Sequence, residues 1–380
     1  MTEKGQRLIP LDALRGLIII LMAVDHANFF ISRTHPTGEF WGILLPYYES
    51  VLAFLTRFIT HFCAPGFFLL MGVSMILFAE SRRTKDWTSA RIRRHFIIRG
   101  LILLFLQFNV ENPGWLLGPE EALNPPGGGG QVWFHFGVLS CLGMAMIFWA
   151  FWYRLKPAAI FGLSAAAVLI TQVLTPDPSQ APRLFSPWLR ILLIPGKTGS
   201  LQVFYSFIPW LGCAGLGLIL GRWLQANPRR AYQKTLAWGV LFLVLFIGVR
   251  ILGGFGNIHA PASFGWMDFL NVTKYPPSLA FLFLTLGFDL ILLYVFSSAG
   301  NRIQKCGKPL LVFGRTALFF YILHFYVFGA MGFLFAAKGG SGIPLMYIFW
   351  LLGLIILYPL CLYYWSFKQK KDSASIWRFF

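Results

Sequence analysis

The sequence predicts an all-α fold: a polytopic transmembrane helix bundle of about ten spans, with both termini in the cytoplasm. Three observations lead there. Of 380 residues, 57% are hydrophobic and only 12% are charged, where a soluble domain carries roughly 25% charged residues. The apolar residues gather into runs of about the 20 residues that a helix needs to cross hydrocarbon. The basic residues fall in alternate connections between those runs, which is the signature of cytoplasmic loops. Lipid offers no partner for unpaired backbone groups, so helices are the default. The runs lack the period-two alternation of a membrane β-barrel.

Taken in order, span one runs near Ile9–Ile31 and contains Asp25 and His26. No small-residue cleavage site follows it, so it reads as a retained span and not a signal peptide. Span two, Phe58–Ala79, opens in THFCAP, and span three covers Ile97–Val110, a short run that can start back in Arg94–Phe96. Spans four and five cover Phe134–Tyr153 and Ala158–Leu174. Spans six and seven cover Tyr205–Leu224 and Thr235–Leu252, and span eight, Leu279–Phe296, is entered through the Pro-broken NVTKYPPS. Ala317–Ala336 and Ile343–Phe367 complete the set. No long stretch is free of apolar runs, so residues 1–380 read as one integral membrane domain.

The connections test this order. Lys4 and Arg7 precede span one, and seven Arg or Lys residues lie between Arg82 and Arg99. Arg154 and Lys156, then Arg222, Arg229, Arg230 and Lys234, then Arg302, Lys305, Lys308 and Arg315 follow in alternate loops. The loop from Asn109 to Trp133 has no Lys or Arg. The exception is Pro176–Val203, an outer loop with Arg183, Arg190 and Lys197 that either lies along the interface or dips into the bundle.

The net charge of +18 comes in short blocks between apolar runs. That spacing fits orientation and anionic headgroups, so the expected partner is the lipid bilayer and not nucleic acid. The five cysteines form no C-x-x-C pair and suggest neither disulfides nor zinc. No H-E-x-x-H or related spacing occurs, so no metal is expected. Ser74 in GVS is not a nucleophile elbow.

Ionisable residues inside spans are costly and usually functional. Asp25 and His26 lie toward the outer end of span one, His61 and His135 start spans two and four on that side, and His324 sits within span nine near Tyr321. His35 and His259 fall in outer loops, which leaves only His95 on the inner side. Such convergence suits proton handling near neutral pH. The bland reading of each is a structural hydrogen-bond partner or an interface residue. Adjacent helix residues point about 100° apart, so Asp25 orients either His26 or a histidine on another span, such as His61 or His324. Arg15, Arg99 and Arg315 mark inner span ends. They are either positive-inside anchors or a basic mouth for a phosphorylated cytoplasmic ligand. Arg15 and His26 lie eleven residues apart, roughly 16 Å along a helix. Gln107, Asn109 and Asp289 are further polar candidates within spans, with Asp289 toward the inner side.

Leu11-Asp12-Ala13-Leu14-Arg15-Gly16 followed by Asp25-His26 resembles the first-span pattern of membrane-bound acyltransferases. Leu55–Gly72, Ile208–Gly212, Asn271–Gly287 and Gly314–His324 sharpen the likeness. Together they resemble the bacterial inner-membrane proteins related to heparan-α-glucosaminide N-acetyltransferase. That resemblance implies transfer of an acetyl group from cytoplasmic acetyl-CoA, or another acyl-CoA, to an amine or hydroxyl of a sugar or glycan on the far side. Arg15, Arg99 and Arg315 would then hold the CoA phosphates. His26 would be the general base, with Asp25 orienting it and His61, Tyr321 and His324 completing the site. The eukaryotic relatives use a first-loop histidine, matched loosely here by His35, whereas the spacing from Arg15 favours His26. A homodimer stays open. The competing readings are a proton-coupled transporter or flippase using Asp25, Asp289 and His324, and a structural or sensory membrane protein.

Overall fold

The computed structural model describes residues 8–33, 39–118, 134–176, 185–336, 340–371, 375 and 377. Sixteen helices and three short strands occur among them. Helix α1 covers Ile9–Ala27 and runs on as a π-helical turn over Asn28–Ser32. Helices α2 (Val51–Phe58) and α3 (Cys63–Arg83) form one bent rod, so predicted span two starts earlier and bends over residues 59–62. Helix α4 (Ser89–Leu106), a π segment (Gln107–Glu111) and α5 (Asn112–Trp115) make one continuous element, longer at both ends than predicted span three. Helix α6 spans Val138–Trp152 and α7 spans Pro157–Leu174. Next come the short α8 (Pro187–Leu192), α9 (Phe207–Ala226), α10 (Pro228–Leu252) and the short α11 (Trp266–Leu270). The chain then builds α12 (Leu279–Ala299), α13 (Asn301–Cys306), α14 (Lys308–Arg315), α15 (Ala317–Phe335) and α16 (Gly342–Gln369).

Eight of these elements are long and apolar enough to cross a membrane. They account for every predicted span except the third and fourth. Helix α4 is long enough but carries Arg91, Arg93, Arg94 and Arg99, and α6 has 15 residues. Predicted span four is shorter than expected because Phe134–Phe136 is a strand, β1. It pairs in parallel with β3 (Leu201–Val203), which pairs antiparallel with β2 (Gly196–Thr198). The described part of the exceptional loop before α9, residues 185–203, thus contains α8 and two strands of a small sheet. Its Leu193 and Ile194 pack on Trp41, and Arg190 donates to the Pro195 carbonyl (2.9 Å).

Local chemistry sets the helix starts. Pro10, Pro157 and Pro228 sit in first turns, where a missing N–H costs nothing. Asn227 and Ser278 cap α10 and α12 by accepting from Arg230 N and Phe281 N (3.0 and 3.1 Å). The α1, α2–α3 and α9 segments are 72–78% buried, whereas α7, α10 and α16 are 22–28% buried. The first group is therefore central and the second peripheral. Backbones meet closely where Gly72 of α3 faces Ala214 and Gly217 of α9, the small-residue packing that apolar bundles use. Gly16 of α1 and Gly314 of α14 likewise bring two backbones together, since a Cβ on either would strike the other's helix. That crossing sets Arg15 beside Arg315.

The basic connections share one end of the bundle. Arg154 donates to Ser89 Oγ (2.9 Å) and Arg222 to the Tyr153 carbonyl (2.7 Å). We call this the basic end.

Candidate active site

Two cavities lie along the central helices, one toward each end of the bundle. The first, of about 1310 Å³ empty volume, is lined by Arg15, His95, Arg99, Arg315 and Lys368 over apolar walls from α3, α4 and α6. The second, of about 820 Å³, is lined by Asp25, His26, Glu39, Arg57, Glu111, His135, Lys274 and Tyr275 among aromatic neighbours. Phe67, Val138 and Tyr321 line both. The cavities therefore meet at a shared wall. Two elements run the length of both. On α1, Arg15 and Ile19 face the first and Met22, Asp25 and His26 the second; on α3, Leu70, Ser74 and Phe78 face the first and Cys63 and Ala64 the second.

In the basic cavity, Asp12 organises the arginines. It accepts from Arg15 Nη1 (3.1 Å) and from Arg315 Nε (3.3 Å). Arg15 also donates to the Gly314 carbonyl and to Ser74 Oγ (3.2 and 3.3 Å), and the Arg315 guanidinium stacks 4.9 Å from the Trp365 ring. His95 lies flat on Phe78, with ring centroids 4.2 Å apart. One carboxylate among these cations leaves an electropositive pocket, suited to an anion brought from outside.

In the other cavity, His26 Nδ1 meets His324 Nε2. His324 is fully buried behind it, and its Nδ1 lies 3.2 Å from the Phe320 carbonyl. A carbonyl only accepts, so His324 Nδ1 carries the proton and its Nε2 is the acceptor. His26 Nδ1 is then the donor, which leaves the lone pair of a neutral His26 on Nε2. Trp115 and Phe325 hold the His26 ring from two sides, at 5.1 and 4.5 Å between centroids.

A second cluster is built on Arg57, buried at 2% exposure. Its Nη1 donates to Asp25, its Nε to Glu39 Oε1 (2.7 Å) and its Nη2 to Glu39 Oε2. Thr60 Oγ1 adds a bond to Asp25 (3.2 Å), and His61 Nε2 sits 2.8 Å from Glu39 Oε1. Burial alone would raise the Glu39 carboxyl, but Arg57 and His61 together hold it well below the usual carboxylate range. A bidentate arginine on a buried carboxylate keeps an ion pair tolerable away from water.

Glu111 forms the third group. It accepts from Trp115 Nε1 (3.1 Å) and Tyr321 Oη (2.8 Å). His135 Nδ1 lies 3.9 Å from it, and neither ring nitrogen of His135 has a hydrogen-bond partner among the described residues. Burial pushes the His135 imidazole down to about 3, so the ring is neutral.

Several expected residues thus converge. Arg15, Arg99 and Arg315 share the basic cavity; His26, Asp25 and Tyr321 share the second, with His324 directly behind His26. The expected partnerships differ. Asp25 bonds Arg57 and Thr60, His61 holds Glu39, and the partner on His26 Nδ1 is an imidazole, where a carboxylate was expected. His35 lies outside the described residues. Gln107 is buried, its Oε1 accepting from Ser140 N (3.3 Å), but Asn109 is exposed. Asp289 touches Gly66 at the start of α3, farther from the basic end than expected, and neither carboxyl oxygen has a partner among the described residues. His259 is bonded to Thr273 (2.8 Å), away from both cavities. Glu39, Arg57, Glu111 and Lys274 were missed. An Arg inside the apolar LTRFITHF was the one available signal, because an arginine there demands a carboxylate.

A family model described as heparan-alpha-glucosaminide N-acetyltransferase, catalytic, matches residues 7–261, about two thirds of the chain. No curated protein matches.

Proposed function

From the premise that this chain belongs to the heparan-α-glucosaminide N-acetyltransferase catalytic family, an integral multi-pass membrane protein with acetyltransferase chemistry, we propose that it moves an acetyl group from acyl-CoA to a sugar amine or hydroxyl on the opposite side of a bacterial inner membrane. The observation behind this reading is the pair of abutting cavities, cationic at one end and histidine-lined at the other, sharing Phe67, Val138 and Tyr321. The basic end faces the cytoplasm, as the basic connections suggest. Acyl-CoA enters there, with Arg15, Arg99 and Arg315 on its phosphates. The pantetheine arm runs along α1 and α3 past the shared wall and presents the thioester to His26.

His26 Nε2 takes the proton of the acceptor amine or hydroxyl as that atom attacks the thioester carbonyl. His324 accepts from His26 Nδ1 and holds the tautomer, the part a carboxylate plays in a serine triad. Collapse of the tetrahedral intermediate expels the CoA thiolate, which recovers the proton from His26. Asp25, Arg57, Glu39 and His61 act as the rigid frame, and His35 is a second base candidate. Asp289 lines neither cavity and so has no part in the proposed transfer.

The test is direct. Reconstituted in liposomes, the protein is supplied with radiolabelled acetyl-CoA on one side and glucosamine on the other. Release of CoA together with labelled sugar is expected. Sugar uptake without any acyl-CoA binding would defeat the enzyme reading.

A further inference from the structure

The segment from Asn271 to Ser278, read from sequence only as a broken entry to α12, is a buried and tightly held loop. Arg250, fully buried at the end of α10, donates to the carbonyls of Asp268, Phe269 and Asn271 (2.6, 2.8 and 3.0 Å). Lys274 N and Tyr275 N both donate to the Glu39 carbonyl (3.2 and 3.1 Å), and Trp41 N returns a bond to Tyr275 O (2.9 Å). Gln172 closes the far side through the Pro277 carbonyl (3.1 Å). This backbone fixes the Lys274 side chain in the wall of the histidine cavity at 3% exposure, with Nζ 5.1 Å from the Tyr275 ring centroid.

Among the described residues the Lys274 ammonium makes no hydrogen bond and no ion pair. The nearby carboxylates are committed elsewhere: Glu39 to Arg57 and His61, Asp25 to Arg57 and Thr60. Tyr321 and Trp115 both bond Glu111, and the neutral His135 offers an N–H but no charge. Asp25 and Glu39 carry two negative charges against the one positive charge of Arg57, so Lys274 balances the cluster's charge without bonding to it, and its ammonium is left to face the cavity. A loop pinned this firmly around such a group argues for a charge that arrives only during the reaction. Thioester aminolysis makes one, because attack places negative charge on the carbonyl oxygen, and a donor already fixed in place lowers that barrier.

Resting on the acetyl-transfer reading, we propose that Lys274 is a catalytic residue, which binds the thioester carbonyl oxygen as it becomes an oxyanion. The acceptor lone pair forms the new bond to the carbonyl carbon, its proton passes to His26 Nε2, and the C=O π pair moves onto the oxygen held by Lys274. Re-forming C=O breaks the C–S bond, and the leaving thiolate takes the proton from His26 to give free CoA.

The experiment uses the full chain in liposomes with acetyl-CoA and two acceptors lacking any anionic group, glucosamine and hydroxylamine. Lys274→Met is expected to lower kcat about 100- to 1000-fold with both, the usual loss for one oxyanion donor. KM for acetyl-CoA should stay unchanged. Lys274→Arg should recover part of kcat, which a cavity-filling role would not produce. The apparent Tm of Lys274→Met should stay close to wild type, because no direct hydrogen bond or ion pair of the ammonium is lost. Wild-type rates in Lys274→Met with both acceptors would overturn the assignment, and so would a lower Tm with an unchanged kcat. Absence of turnover in the wild-type protein would instead defeat the acetyl-transfer reading itself.

Discussion

In the basic cavity Arg15, Arg99, Arg315, His95 and Lys368 face an open volume with Asp12 as the organising carboxylate, whereas in the histidine cavity Arg57 lies between Asp25 and Glu39 and the bonds close on themselves. The first region keeps an excess of one sign and, on the acetyl-transfer proposal, is completed by a charged molecule from outside. The second carries its own counter-ions and is completed by chemistry. Affinity and rate should therefore separate between the two ends, and the variants below are chosen to force that separation.

The largest effect falls on the histidine side. His26→Ala should lower acetyl transfer about 100- to 10,000-fold, the range for a lost general base, equivalent to about 2.7–5.5 kcal/mol. Binding of acetyl-CoA, followed by equilibrium titration of the labelled compound, should be unchanged. Full turnover in this variant would remove His26 from the reaction and turn attention to His35. His324→Asn tests the relay, since an amide can hold the ring but does not fix its tautomer as strictly. Its kcat should fall less than that of His26→Ala, with KM for acetyl-CoA unaltered.

Next comes the frame. Arg57→Met leaves Asp25 and Glu39 buried without their cation, and breaking a buried pair in this way costs about 3–5 kcal/mol. A clear drop in apparent Tm in detergent is expected before any question of rate arises. Adding Glu39→Gln to that variant should recover part of the loss, because one of the stranded charges is gone. A Tm equal to wild type in Arg57→Met would show that the cluster does not hold the cavity together.

The basic cavity predicts the opposite pattern. Arg15→Gln should raise KM for acetyl-CoA about 10- to 100-fold, the worth of one charge-assisted bond at about 1.5–3 kcal/mol, and leave kcat and Tm close to wild type. Added salt should raise the wild-type KM in the same direction, since contacts in an open cavity are screened. A kcat effect without a KM effect would break the proposed division between the two ends.

The two ends also differ in how far they could be read in advance. The arginines of the basic end were legible because each sits where an apolar run meets a basic connection. His26 and His324, with Tyr321 nearby, stood out as ionisable residues inside spans, and the likeness to membrane-bound acyltransferases gave the spacing of His26 from Arg15 its meaning. The framework around them was not. Glu39 and Lys274 reach the site from connections, where hydrophobic periodicity says nothing about position. Glu111 lies in a π segment just beyond the end of predicted span three, and Arg57 just before the start of predicted span two. Asp25 was read correctly as a costly charge needing a partner. Its partner was missed because the helical angle between neighbours fixes which residues diverge and not which distant ones meet. The strand at Phe134–Phe136 was hidden in an apolar run, whose composition alone cannot separate a short strand from a helix.

The last prediction concerns pH. The His135 imidazole ordinarily titrates at 6.5 and in the fold only near 3, so between those values the unfolded chain binds a proton that the folded chain refuses. Stability then falls as pH drops through this window, by at most about 1.4 kcal/mol per unit. Glu39 acts in the same direction but lower: its depressed value means its contribution is complete above 4.5 and is lost as pH falls below it. The two can be separated by range. His135→Asn should flatten the decline in apparent Tm between pH 6.5 and 4.5 and lessen, without abolishing, the loss below 4.5, whereas Glu39→Gln should ease only the loss below 4.5. If His135→Asn leaves the upper window as steep as wild type, His135 is not the group that titrates there, and the neutral, unpartnered ring beside Glu111 is not part of what makes the histidine cavity self-contained.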